Sequence, residues 1–223
     1  MGLITDFDDP LTTQRIFRSI MDAFSHPLKV VNIADGTWDF NSSIDSKSNS
    51  SSSLDYKSYP DTATNLDADF VIKSLCGVFL DSSVYFYVDD DAGLAAEIRD
   101  ITYAKQTGIE NADFVIINDM ERIDLLDNIS PGSLVSPHKG ATVIFNVPDI
   151  FGDADIIAEG PGINGEMHCR VCQGIVKCLE KIDGLNIEYP KGFEVMFVTR
   201  QGDICAVPRH IKVRRGEAGQ WHM

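Results

Sequence analysis

The sequence predicts an α/β fold in a single domain over residues 1–223, a mixed β-sheet flanked by helices. Two observations carry this reading. Stretches with apolar residues at helical spacing alternate along the chain with short runs rich in β-branched and aromatic residues. In addition, 43% of the 223 residues are hydrophobic and 9% aromatic, enough for a sizeable core, and no repeat of fixed period is visible.

Asp9-Pro10 suits the start of a helix, with Asp as cap and Pro at the first helical position, where its missing N–H goes unused. Ile16, Phe17, Ile20, Met21 and Phe24 recur at helical spacing until Ser25-His26-Pro27 stops the run. Val30, Val31 and Ile33 predict a short strand ended by Asp35-Gly36. Residues 41–58 collapse into Ser, Asn, Asp and Lys and read as a flexible, solvated insertion, with a phosphorylated or partner-binding tract as the functional alternative. Leu66, Phe70, Val71, Leu75, Val78 and Phe79 form a helical stripe, followed by a strand from Val84 to Val88. Asp89-Asp90-Asp91 lacks the ligand spacing and glycine of a calcium loop and reads as a turn capping the next helix, defined by Leu94, Ile98 and Ile101. The apolar run Phe114 to Ile117 fits a central strand covered on both faces. Beyond Ser130-Pro131-Gly132 and Ser136-Pro137, strands are predicted over 141–147 and 155–159, a helix over 166–182, and strands over 195–199 and 204–207.

Asp and Glu number 34 against 19 Lys and Arg, giving a formal net charge of −15 and a pI near 4.5. Such a surface repels phosphodiester backbones, which excludes non-specific nucleic-acid binding, and a small phosphorylated ligand would need a local basic pocket. The stretch Met1-Gly2-Leu3-Ile4-Thr5-Asp6 has neither the basic nor the apolar region of a signal peptide, and Asp6 stands where a myristoylation signal has Ser or Thr. No apolar run approaches the roughly 18–20 residues that cross a bilayer, so no membrane is expected as partner. Five irregularly spaced cysteines point to a reduced cytoplasm.

Gly160-Pro161-Gly162-Ile163-Asn164-Gly165 matches G-x-G-x-x-G between a predicted strand and a predicted helix, where a dinucleotide site would hold a pyrophosphate. Only 58 residues follow Gly165, Asp183 falls at the helix end, and Pro161 removes a backbone N–H, so a tight glycine turn is favoured. Cys169 and Cys172 form a C-x-x-C on one predicted helix face, but no second pair completes four zinc ligands; they read as small buried hydrophobes, and no metal is expected. No nucleophile elbow, H-E-x-x-H or P-loop lysine occurs, and His26, His138, His168, His210 and His222 carry no catalytic flanking pattern. Arg200, Arg209, His210, Lys212, Arg214 and Arg215 gather positive charge into one segment. If 207–215 is extended, Arg209 shares a face with Ile211 and Val213, and a partly buried arginine needs a carboxylate, carbonyls or an anionic ligand. The anion-binding candidates are therefore Arg209, His210, Arg200, Gly160 and Gly162.

Phe17-Arg18-x-x-Met21-x-Ala23-x-Ser25-x-Pro27, Leu80-Asp81, Ala112-Asp113-Phe114, Gly140-Ala141-Thr142, Gly160-Pro161-Gly162-Ile163, Tyr189-Pro190-x-Gly192 and Ala206-Val207-Pro208-Arg209 follow one another in that order. The series resembles the PhnH family, a subunit of the bacterial carbon-phosphorus lyase system, over nearly the whole chain except the Ser-rich insertion and the last few residues. The resemblance implies a homodimeric subunit of a phosphonate-degrading core complex, with PhnG-, PhnI- and PhnJ-type partners. That complex transfers an alkylphosphonate such as methylphosphonate to the ribose C1 of ATP with displacement of adenine, giving ribose 1-methylphosphonate 5-triphosphate. It also implies a fold similar to the large domain of pyridoxal-phosphate-dependent transferases without that cofactor, ATP entering only as substrate of the whole complex. An accessory role is expected, and no residue is assigned as catalytic. The chain departs from the family at Leu28, where Gly is usual after the early Pro, and at His210, where Thr is usual after Pro-Arg. Two other readings stay open: a stand-alone nucleotide- or phosphate-binding enzyme using the Gly160 turn and Arg209, and a zinc protein using Cys169 and Cys172.

Overall fold

The computed structural model describes residues 10–33, 69–185 and 187–216. The expectations for Asp9, Asp35-Gly36, the 41–58 insertion and Leu66 lie outside the described residues. The main sheet has seven strands: β1 (Val30–Asn32), β2 (Tyr85–Val88), β3 (Lys105–Gln106), β4 (Phe114–Ile117), β5 (Thr142–Asn146), β8 (Glu194–Val198) and β9 (Asp203–Val207). Their order is β1-β9-β8-β5-β4-β2-β3, and β9 alone runs against the others. A second sheet joins β6 (Ala154–Glu159), β7 (Met167–Val171) and β10 (Lys212–Arg215), in the antiparallel order β10-β6-β7.

Alternation along each strand divides the core in two, because successive side chains point to opposite faces. Phe86, Val88, Ile116, Ile144, Met196, Val198, Ile204 and Ala206 lie under three helices, α1 (Pro10–Ser25), α2 (Phe70–Phe79) and α3 (Ala92–Thr102). Val115, Ile117, Val143, Phe145, Val195, Phe197, Cys205 and Val207 face the opposite layer, built from the small sheet, the 3-10 segment Met120–Asn128 and α4 (Gln173–Gly184). The mixed sheet with helices on its faces follows the sequence reading, and β4, flanked by β2 and β5, is an inner strand as expected.

Local chemistry explains the element ends. The Oδ1 of Asp91 accepts the Leu94 N–H at 2.8 Å, so the third aspartate of the acidic run caps α3. Asp91→Ala is expected to cost about 1 kcal/mol, measured as a lowered urea midpoint. Leu94 and Ile98 are buried under α3, whereas Ile101, expected on the same stripe, is 43% exposed.

Two expectations are corrected. The helix over 166–182 begins only at Gln173; residues 167–171 form β7, with Cys169 and Val171 facing the core and His168 and Arg170 facing solvent. Cys169 and Cys172 therefore do not share a helix face: one is buried on a strand and the other stands at the residue before α4, its side chain making no capping bond. The segment 207–215 is not continuously extended either. A turn through Arg209 and His210, with His210 at φ 71°, carries the chain from β9 of the main sheet into β10 of the small one.

Candidate functional site at the amino edge of the sheet

β5 and β8 begin at the same edge of the sheet where β9 ends, and distant segments meet there. The Arg209 guanidinium donates through Nε and Nη2 to Glu194 Oε1, at 3.2 and 3.1 Å, and through Nη1 to the Pro137 carbonyl at 2.6 Å. Of the partners a half-buried arginine requires, a carboxylate and a carbonyl are both present within the chain. Arg209→Ala, which strands Glu194, is expected to destabilise the fold by about 1–3 kcal/mol, and Arg209→Lys by less, read from urea unfolding.

His210 lies beside this pair, with its ring 4.9 Å from that of Tyr189, and its Nε2 is buried without a hydrogen-bond partner. The Gly160 turn packs against the same region. It joins β6 to β7, so the glycine motif is a hairpin connection and no helix follows it. A Cβ on Gly160, at φ 141°, would meet the His210 carbonyl oxygen at 3.0 Å; one on Gly162, at φ 86°, would meet Pro27 Cδ at 3.0 Å. Only glycine fits both the backbone angle and the space.

Arg209, His210, Gly160 and Gly162 are thus brought together, joined by Gly140, Tyr189 and Gly192 from the stretches that carried the resemblance. Gly192 donates its N–H to the Pro131 carbonyl at 2.8 Å. Arg200 is not part of this group: it sits in the turn between β8 and β9, at the opposite end of those strands. Leu28, at φ 63°, occupies a left-handed position, which accounts physically for glycine being usual there.

The basic segment is largely neutralised from within. Arg214 meets Glu166 at 2.8 Å, and Arg215 meets Glu180 at 2.6 and 3.0 Å, holding that exposed carboxyl below its ordinary range. None of these acids was signalled by the sequence, since each lies 15 to 48 residues from its arginine.

A second polar cluster stands at the carboxyl edge, between β2 and β4, where the strand order reverses and open α/β sheets place their ligands. Arg122 bridges Asp89 and Asp90, each at 3.2 Å. Burial pushes the Asp89 carboxyl above its usual value, and the negative charges of Asp90, Asp124 and Asp119 add to this against the pull of Arg122. That crevice is acidic, and its arginine is already held, which is the wrong field for a nucleotide phosphate. Burial also pushes the thiols up, to about 12 for Cys76 and about 11 for Cys169, so they stay protonated. Among the described residues, no group of three or more His, Cys, Asp or Glu converges to hold a metal, and no helix is long and apolar enough to cross a membrane.

Comparison with known proteins places this geometry in a family. A curated relative from Stutzerimonas stutzeri, "Putative C-P lyase subunit protein HtxG", is 24% identical over 203 residues, covering 90% of this chain and 86% of that one. The family model for the bacterial phosphonate metabolism protein PhnH matches residues 5–214, which take in every stretch that carried the resemblance and both edges of the sheet. The chain belongs to the PhnH family.

Proposed function

We propose that this protein is an accessory subunit of a carbon-phosphorus lyase core complex. It would serve the step in which an oxygen of an alkylphosphonate such as methylphosphonate bonds to the ribose C1 of ATP. The bond from C1 to adenine breaks, giving ribose 1-methylphosphonate 5-triphosphate. The observation that carries this reading is the PhnH family match over residues 5–214. It is supported by the candidate site itself, where Arg209 is committed to Glu194 and Pro137. In this reading the subunit is a cytoplasmic homodimer that works with PhnG-, PhnI- and PhnJ-type subunits. ATP is a substrate of the whole complex, and the subunit needs no pyridoxal phosphate. The mixed seven-stranded sheet supports the likeness to the large domain of pyridoxal-phosphate-dependent transferases.

The test is reconstitution. The four subunits co-expressed are expected to elute as one species and to release adenine from ATP with methylphosphonate, and omission of this chain is expected to abolish release. Full adenine release without it would overturn the proposal. For the stand-alone reading, equilibrium dialysis of the isolated chain with ATP is expected to show no micromolar binding.

A further inference from the structure

The outer face of α1 carries residues that no interior contact explains. Ile16, Ile20 and Ala23 anchor the helix inward and are almost fully buried. Phe17 and Met21, one helical turn apart, lie on the outer side and are 48% and 50% exposed, with exposed Arg15 and Arg18 beside them. The arginines set this face apart. Six of the nine in the chain lie within 4.0 Å of a carboxylate: Arg99, Arg122, Arg170, Arg209, Arg214 and Arg215. Among the described residues, Arg15, Arg18 and Arg200 form no such pair, and Arg15 and Arg18 stand together on a helix face that also exposes Phe17 and Met21. In a chain of net charge −15, two guanidinium groups on one helix face, without a carboxylate partner among the described residues and interleaved with a half-exposed Phe and Met, form a basic-apolar surface whose complement is not found among the described residues.

We propose that this face of α1 docks a different subunit of the assembly, one that offers an apolar cleft edged by carboxylates. The proposal rests on the subunit reading given above. Charge complementarity selects that occupant. A second copy meeting α1 to α1 across a two-fold axis would bring four arginines together, and like charges so placed repel. The helix is already packed on its inner side, so docking immobilises little beyond the outer side chains.

The experiment uses the full chain co-expressed with the PhnG-, PhnI- and PhnJ-type subunits. Wild type, Arg15→Glu/Arg18→Glu and Met21→Asp are compared by co-purification and titration at two salt concentrations. The substituted residues are exposed, and thermal melts confirm that each variant is folded. Both variants are expected to bind about 10- to 100-fold more weakly, with the steep salt dependence of the wild type lost in the charge-reversed variant. Wild-type assembly matched by the variants would overturn the docking surface and leave the subunit reading standing. A wild-type chain that binds none of the subunits would overturn both. Two further outcomes would also overturn it: a change in the chain's own oligomeric state in the variants, which would assign the face to a second copy, or variant-sensitive binding to phosphatidylserine vesicles, which would assign it to a membrane.

Discussion

Phe197→Ala is expected to lower the stability of the fold by about 3–5 kcal/mol. Phe197 is fully buried on β8, near the middle of the main sheet, and its ring stacks on Phe145 of β5 with centroids 5.8 Å apart at 22°. Removing it withdraws a large apolar area and leaves a cavity beneath the layer of α4 and the small sheet, which is held on its other sides and collapses only partly. For a chain of this length, each kcal/mol is worth about 2–4 °C, so the melting temperature should fall by roughly 6–20 °C. Urea unfolding followed by circular dichroism measures the loss. A change below about 1 kcal/mol would show that the surrounding side chains refill the space.

Gly140→Ala is expected to cost about 3 kcal/mol or more and to disturb the amino edge as a unit. A Cβ on Gly140 would overlap the carbonyl oxygen of Gly192, and it would also come within 3.1 Å of the Pro131 carbonyl oxygen. Both obstacles are backbone, so no side-chain rotation relieves them. Gly140 lies two residues before β5, close to where β5 meets β8, with Thr142 opposite Glu194. The displacement therefore propagates to Glu194 and its pair with Arg209. Gly165→Ala is the control. Gly165 has φ 79° but open space around its Cα, so alanine there meets only the left-handed strain of about 1 kcal/mol. Equal losses at the two positions would show that backbone angle, not space, sets the cost.

Much of the fold was legible because its signals are local. The stripe of Ile16, Ile20 and Phe24 and the short continuous apolar run Phe114–Ile117 name their elements without help from the rest of the chain. β7 was misread for an equally local reason. Met167, Val171, Ile175 and Leu179 recur every four residues, so the helical template runs across a boundary where a strand becomes a helix, and only the intervening Cys169 betrays the two-residue period. The site was half legible. Glycines and the Arg209–His210 turn announce themselves by residue type. The Arg209 partners do not: Pro137 lies 72 residues away, and chance carboxylates abound in a chain with 34 acids. Within the basic segment, Arg209, Arg214 and Arg215 each meet a carboxylate that no spacing rule connects to them.

The position of β9 has a consequence for the time course of folding. β2, β4 and β5 are close neighbours in sequence and can pair early across modest loops. β9 must insert between β8 and a strand from the other end of the chain, where Val30 pairs with Cys205. Closing so long a loop carries a large entropic cost, and distant pairings slow folding. The β9–β1 ladder is therefore expected to be the last part of the main sheet to gain hydrogen-exchange protection during refolding. Because the Arg209–His210 turn leads directly out of β9, whose hairpin with β8 closes across residues 199–202, the Arg209–Glu194 pair is expected to form before β1 closes the sheet beside it.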